Sequence, residues 1–235
     1  MRYNANRKKK ICENIKGMGY IRFESLRDNN KKDKNIPIKN SKYLETISYL
    51  ELKNLLDNDY ILSLLKKRNK IRIFEANSTN LISKYRYDVF IKYYYVKNYL
   101  ERNNYMLAKK IYTNHIKSFN NFLEPDGKKS GPDEFIKRFD ILINDIKEHG
   151  IDKTIIPITK NGEIIDGAHR LSVALYLKLK VKFAIFDLLD ANYNRDFFIR
   201  RGFNIKYAEI IDKEVIDKIK WKKSNILDYL LYYVV

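Results

Sequence analysis

Three features follow one another between residues 162 and 177: a short apolar segment, a glycine turn and a helix-forming segment. Gly162-Glu163-Ile164-Ile165 is typical of a β-strand, and residues 171–177 are typical of a helix. Between them lies Asp166-Gly167-Ala168-His169-Arg170. Glycine permits a tight turn and a close approach of a ligand to the backbone, and the free amides that open a helix favour an anion. Because His and Arg add donors at the same place, this order of residues predicts a phosphate-binding turn.

Asp166 also has a simpler interpretation. Aspartate is a frequent N-cap residue, and a glycine turn before a helix is common. The same residues could therefore form only a capped turn, and both interpretations stay open at this point.

The elements around the turn extend the pattern. Residues 135–149 have helical spacing and end at Gly150, Ile156-Pro157-Ile158 is typical of a strand, a hairpin leads to the turn, and residues 181–187 form a last strand. In this order, residues 120–187 resemble the nucleotide-binding domain of the ParB/sulfiredoxin superfamily. That domain carries a Gly-x-His-Arg or Gly-x-Arg-Arg box, and the resemblance implies that the box here binds nucleotide phosphates.

Differences from two branches of the superfamily favour a third. Sulfiredoxins resemble Gly-Cys-His-Arg, whereas this chain has Ala168 in place of the redox cysteine, and its only cysteine is Cys12. Chromosome-partitioning ParB proteins resemble Gly-Glu-Arg-Arg and continue into a helix-turn-helix domain, for which residues 188–235 show no clear spacing. The Asp-Gly-x-His-Arg sequence is most similar to the small-molecule kinases typified by the free serine kinases.

The kinase resemblance implies a set of functional residues. Glu124 precedes a Pro/Gly loop about where the serine kinases place their catalytic carboxylate, and it would be the general base; a solvated loop glutamate is the alternative. Asp166 would contact Mg²⁺ or the acceptor hydroxyl. Gly167, Ala168, His169 and Arg170 would bind the phosphates of ATP or ADP. Lys128 or Lys129, on the loop after Glu124, could close over these phosphates.

Other polar residues are secondary candidates. Asp88 and Lys92 are four residues apart, so a surface ion pair explains them, although with Arg86 they could line a substrate pocket. His115 is expected on a helix face or in the core, and His149 at a helix end. None of these has partners at metal-ligand spacing.

The net charge and the cysteine content limit the binding partners and the cellular compartment that can be expected for the protein. The net charge is +18, yet the basic residues are spread along the chain, which favours a generally basic surface over a nucleic-acid footprint. A single cysteine fits a reducing cytoplasm, and no apolar run is long enough to span a membrane.

The sequence thus predicts an α+β protein with four parts. Residues 1–40 form a basic, partly disordered arm, and residues 120–187 form the ParB/sulfiredoxin-like domain. Residues 41–119 form a helical subdomain with one strand near 71–74, and residues 188–235 a helical C-terminal extension.

The predicted function is an ATP-dependent kinase that phosphorylates a hydroxyl of a small molecule such as an amino acid, sugar or polyol. The alternative is a ParB-type nucleotide-gated DNA-binding protein, for which CTP would be the nucleotide. A nuclease is a third possibility, but no paired carboxylates at metal spacing support it.

Overall fold

A four-stranded mixed β-sheet organises the part of the chain that the structure describes. The computed structural model describes residues 41–56, 61–63, 70–123, 131–188 and 190–216. The strands are β1 (Lys42–Ile47), β2 (Ile71–Asn77), β3 (Ile155–Thr159) and β4 (Lys180–Phe186). The α-helices are α1 (Tyr49–Leu55), α2 (Tyr87–Leu100), α3 (Tyr105–Asn120), α4 (Gly131–His149), α5 (Ala168–Leu177), α6 (Arg195–Arg200) and α7 (Ile205–Ile211).

The sheet has the strand order β1-β2-β4-β3. Strands β3 and β4 are parallel, while β2 is antiparallel to both β4 and β1. A parallel pair needs a crossover connection, and α5 lies in the one that joins β3 to β4. Pro157 has no amide hydrogen to give to a ladder, and it lies in β3 at the edge of the sheet. The sheet therefore takes strands from both the 41–119 and the 120–187 segments.

Apolar side chains cover both faces of the sheet. Neighbouring residues of a strand point to opposite faces, and in β4 Phe183 packs with the helices α2 to α5 while Ala184 packs with β1 and α1. The helix α4 buries Phe135, Phe139 and Ile143 at helical spacing. Its end at Gly150, where φ is +79° and the amide donates to Ile146 O, confirms the predicted C-cap.

The helical pattern expected from Ser41 onward is wrong for residues 42–47, which form β1. The pairing of β1 with β2 shifts between Tyr43 and Glu45, so one extra residue is inserted at Leu44. This bulge lets Leu44 and Ile47, three residues apart, both reach the same core cluster. Because of the bulge, the apolar residues of this strand have the three-residue spacing that is typical of a helix. The strand expected at 71–74 is confirmed as β2.

The strand expected at residues 162–165 is reduced to a single bridge between Ile164 and Ile158. Several further expectations concern residues outside the described ones. These are the basic arm, the loop with Glu124, Lys128 and Lys129, and the helix expected near the C-terminal end. No helix within the described residues is long and apolar enough to cross a membrane.

Candidate functional site

The predicted phosphate-binding turn lies beside the start of β3. The chain leaves β3, turns at residues 160–162 and returns antiparallel, with the Ile165 amide donating to Pro157 O at 2.8 Å. Gly167 then adopts φ +86°, a left-handed conformation that favours glycine, and is the N-cap of α5. Helix α5 starts at Ala168, so the turn ends where the helix begins.

The N-terminus of α5 has no side-chain cap. Gly167 makes no side-chain cap hydrogen bond, and Asp166 lies one residue before the N-cap position. The amides of Ala168, His169 and Arg170 belong to the first turn, where a helix has no backbone acceptor for them. The structure thus places the N-cap at Gly167 rather than at Asp166, and the N-terminal end of a helix is a position where an anion is favoured.

Arg170 folds back over the turn. Its Nη1 donates to Thr154 Oγ1, and its Nη2 lies 3.6 Å from Asp166 Oδ2. A Cβ placed on Gly167 would lie 3.5 Å from Nε and Nη2 of Arg170. The glycine thus leaves open the space next to the guanidinium, and Thr154 fixes the direction of the arginine.

His169 is held from α3 and α4. Its Nε2 lies 2.9 Å from the Tyr112 hydroxyl, and Phe139 packs edge-on against the imidazole with ring centroids 4.6 Å apart. Tyr112 and Phe139 are buried, whereas His169 is half-buried. The sequence pattern did not identify Tyr112 as a neighbour of His169.

A buried ion cluster lies directly behind the turn. Arg86 donates from Nε and Nη2 to the two carboxylate oxygens of Asp88, each at 2.9 Å, and Lys92 Nζ donates to Asp88 Oδ2 at 2.9 Å. These side chains are 4 to 6% exposed, so the surface ion pair expected for them is wrong. Arg86 Nη1 also donates to the carbonyl of Ile164, which connects the cluster to the segment that leads into Asp166.

The charges of this cluster depend on one another. Burial alone would raise the pKa of Asp88, but Arg86 and Lys92 hold it well below its usual range. Burial would lower the pKa of Arg86, yet Asp88 raises it overall. Burial lowers the pKa of Lys92, and Asp88 and Asp166 only partly oppose this. Asp166, in the turn, therefore acts electrostatically on a lysine of α2.

His115 is the core histidine that the sequence suggested. It is fully buried, and burial together with Lys92 lowers its pKa well below the usual value. Among the described residues, neither ring nitrogen has a hydrogen-bond partner. The neutral imidazole lies between the ion cluster and an aromatic group that includes Phe119 and Phe198. His149 is exposed at the end of α4, with Nδ1 3.1 Å from Asp145 Oδ1.

Two carboxylates fix the loop that precedes the turn. Asp190 accepts hydrogen bonds from Thr159 Oγ1 and from Asn161 Nδ2, the latter at 2.7 Å. Glu163 accepts from Ser83 Oγ at 2.6 Å and its charge acts on Arg86. The path of the chain into Asp166 is thus fixed by side chains from distant parts of the sequence.

Some predicted site residues come together and others cannot be placed. Asp166, Gly167, Ala168, His169 and Arg170 lie together at the start of α5, with Gly167 and Ala168 buried and the other three half-buried, while Glu124 and Lys129 lie outside the described residues. Across the described ranges, no group of three or more His, Cys, Asp or Glu side chains is arranged to bind a metal ion. A separate groove of about 550 Å³ between α3, α4 and α7 does not border the turn; its basic lining residues are Lys109, Lys110 and Lys117.

No family model matches the chain, and no curated protein or solved structure matches it either.

Proposed function

We propose that the protein is an ATP- or ADP-dependent kinase that phosphorylates a hydroxyl of a small molecule. We also propose that β3, α5 and β4 belong to a ParB/sulfiredoxin-like nucleotide-binding domain. The observation that carries the proposal is the N-terminus of α5, which follows the left-handed Gly167 and has His169 and Arg170 in its first turn. Phosphate groups are the ligands for which such a helix end and its basic side chains are suited.

Each residue of the turn has a distinct part in this proposal. The amides of Ala168, His169 and Arg170 and the Arg170 guanidinium bind phosphate oxygens, and Gly167 lets the nucleotide approach the backbone. Tyr112 keeps the His169 imidazole directed at the phosphates. Because Thr154 already orients Arg170, little ordering of its side chain is needed when a phosphate binds.

Asp166 fits a role beside Mg²⁺. It is half-buried and adjoins the uncapped helix end, and Mg²⁺ is commonly bound by one or two carboxylates together with phosphate oxygens. When bound there, Mg²⁺ would neutralise charge on the phosphates. Asp166 would hold the ion, and its 3.6 Å contact with Arg170 would then be lost.

Glu124 remains the proposed general base, by resemblance to the serine kinases. It would accept the proton of the acceptor hydroxyl as the hydroxyl oxygen attacks the terminal phosphorus. The bond between that phosphorus and the bridging oxygen would break, and ADP would leave from ATP, or AMP from ADP. The acceptor class is a neutral or charged small molecule with a free hydroxyl: an amino acid, a sugar or a polyol.

Calorimetric titration with ATP, ADP and CTP in the presence of Mg²⁺ tests the nucleotide site. Arg170→Ala should abolish the binding. Arg138→Ala should leave it intact, because Arg138 is exposed on α4 and pairs with Glu134. If the wild-type protein binds none of the three nucleotides, the proposal is wrong. A preference for CTP, together with salt-sensitive, nucleotide-dependent binding to duplex DNA, would favour the ParB-type alternative.

Turnover measurements test the transfer step. ADP release from ATP is followed with serine, glucose and glycerol as first acceptors, for the wild type and for Glu124→Gln. The substitution should abolish turnover and leave ATP affinity unchanged. Unchanged turnover would remove Glu124 from the base role.

A further inference from the structure

The ion cluster behind the turn contains two cations with very different surroundings. Arg86 uses Nε and Nη2 on Asp88 and Nη1 on the carbonyl of Ile164, so its guanidinium is well occupied within the protein. Lys92 has three N–H donors, and among the described residues its only hydrogen-bond partner is Asp88 Oδ2. A buried ammonium that uses one donor of three is costly unless another acceptor reaches it.

The position of Lys92 identifies where that acceptor would lie. The side chain is 6% exposed and lies on α2, which packs against α5. It shares Asp88 with Arg86, whose Nη1 donates to the carbonyl of Ile164, two residues before Asp166. Asp166 immediately precedes Gly167, the N-cap of α5. An anion at that helix end would therefore be near the unused donors of Lys92.

Asp88 does not need Lys92 as its counter-ion. The two arginine nitrogens already contact both carboxylate oxygens at 2.9 Å, which is the bidentate geometry of a complete Arg–carboxylate pair. Arg86 and Asp88 thus form a complete ion pair. The ammonium of Lys92, which donates to the same carboxylate, adds a second positive charge to the cluster.

We propose that Lys92 is a phosphate-binding residue of this site, with its ammonium donating to phosphoryl oxygens of an anion bound at the start of α5. The inference rests on the proposed function in that it places a polyphosphate at this turn. It assigns a phosphate-binding side chain on a different element, 74 positions before Asp166 in sequence, and makes Arg86 and Asp88 positioning residues that act through Lys92.

Binding of two probes, ATP with Mg²⁺ and inorganic tripolyphosphate, tests this assignment. Lys92→Met should weaken both by about tenfold or more, because a charge-assisted hydrogen bond is lost. Lys97→Met is the matched control. It removes a lysine from the same helix, but one whose Nζ lies 3.8 Å from Glu214 and away from the turn, so both affinities should be retained. A Lys92→Met protein that is folded by thermal unfolding and binds both probes as the wild type does would overturn the assignment.

The wild-type protein provides a second test that does not depend on the variant folding. The ammonium resonance of Lys92 is followed by ¹⁵Nζ-detected NMR with and without tripolyphosphate. Tripolyphosphate should shift the Lys92 resonance and leave that of Lys97 unchanged. An unchanged Lys92 resonance at saturating tripolyphosphate would contradict the proposal.

These outcomes separate the inference from the kinase proposal. If ATP binding requires Arg170 but not Lys92, the lysine assignment fails and the nucleotide site stands. If Lys92 is needed for tripolyphosphate binding but no acceptor is phosphorylated, the anion site is supported and the kinase proposal fails. If the wild type binds neither probe, both are wrong.

Discussion

The hydroxyl of Tyr112 lies 2.9 Å from Nε2 of His169, so a tyrosine of α3 determines how the first turn of α5 presents its imidazole. Tyr112 is almost completely buried and His169 only half-buried, which makes the tyrosine the fixed partner. If the hydroxyl donates, the proton of His169 is on Nδ1, the nitrogen that Tyr112 does not contact.

Tyr112→Phe should therefore reduce nucleotide affinity with little change in the fold. Loss of one hydrogen bond corresponds to about 1 kcal/mol, or about fivefold in the dissociation constant for ATP. Tyr95→Phe is the matched control, because its hydroxyl donates to Asp140 at 2.7 Å and does not contact His169. Calorimetry with both variants checks this, and an equal loss of affinity in the two would remove Tyr112 from the site.

Gly167→Ala should abolish nucleotide binding. It should lower the free energy of unfolding only by the amount usual for alanine at a left-handed backbone position. The left-handed backbone at φ +86° disfavours alanine by about 1 to 2 kcal/mol, and the new Cβ would occupy space 3.5 Å from the Arg170 guanidinium. Gly202→Ala meets the same backbone penalty at φ +89°, with nothing within 4 Å of the new Cβ.

Denaturant unfolding should give similar losses of stability for the two glycine variants, and only Gly167→Ala should lose ATP affinity. Retention of wild-type affinity by Gly167→Ala would show that the space beside Arg170 is not used by a ligand.

The turn could be predicted from the sequence because it depends on the backbone preferences of residues that are close together in the chain. The left-handed Gly167, the helix start at Ala168 and the C-cap at Gly150 all follow from backbone preferences of nearby residues. Strand β1 could not be predicted in this way, because the bulge at Leu44 depends on pairing with β2, which lies far along the chain.

The burial of the ion cluster could not be predicted from the sequence, for a related reason. The spacing of Asp88 and Lys92 is the same for an exposed pair as for a buried one. Burial is decided by groups distant in sequence: the Ile164 carbonyl that accepts from Arg86, and the Tyr193 ring, whose centroid lies 5.0 Å from the guanidinium carbon. Neither contact is visible in the local pattern around residue 88.

Asp88→Asn should strongly destabilise the protein. Removing the carboxylate charge leaves Arg86 and Lys92 buried without their shared counter-ion, which typically costs about 3 to 5 kcal/mol. Asp145→Asn, which affects an exposed pair with His149, should change stability by less than about 1 kcal/mol. Urea unfolding at pH 7 compares the two, and similar small losses would mean that the cluster is hydrated in solution.

His115 should make stability depend on pH between 7 and 5. Its pKa in the folded protein is far below 6.5, so below pH 6.5 the unfolded chain binds a proton that the folded protein does not. The stability contributed by the neutral imidazole is complete above that pH and falls by up to about 1.4 kcal/mol per pH unit as the pH decreases. The pKa of Asp88 is also lowered, but its contribution is lost only below about pH 4, so the two windows are separate.

His115→Phe should flatten this pH dependence. Phenylalanine can keep the stacked contact with Phe119 and the edge contact with Phe198, and it removes the titrating group that faces Lys92, Asp88 and Arg86. His149→Phe, at an exposed position, should retain the wild-type slope because His115 is still present. Free energies of unfolding from urea titrations at pH 7, 6 and 5 give the slopes. If the His115→Phe protein loses stability as steeply as the wild type does, then His115 takes up its proton in the folded state, and an acceptor must reach it inside the ion cluster.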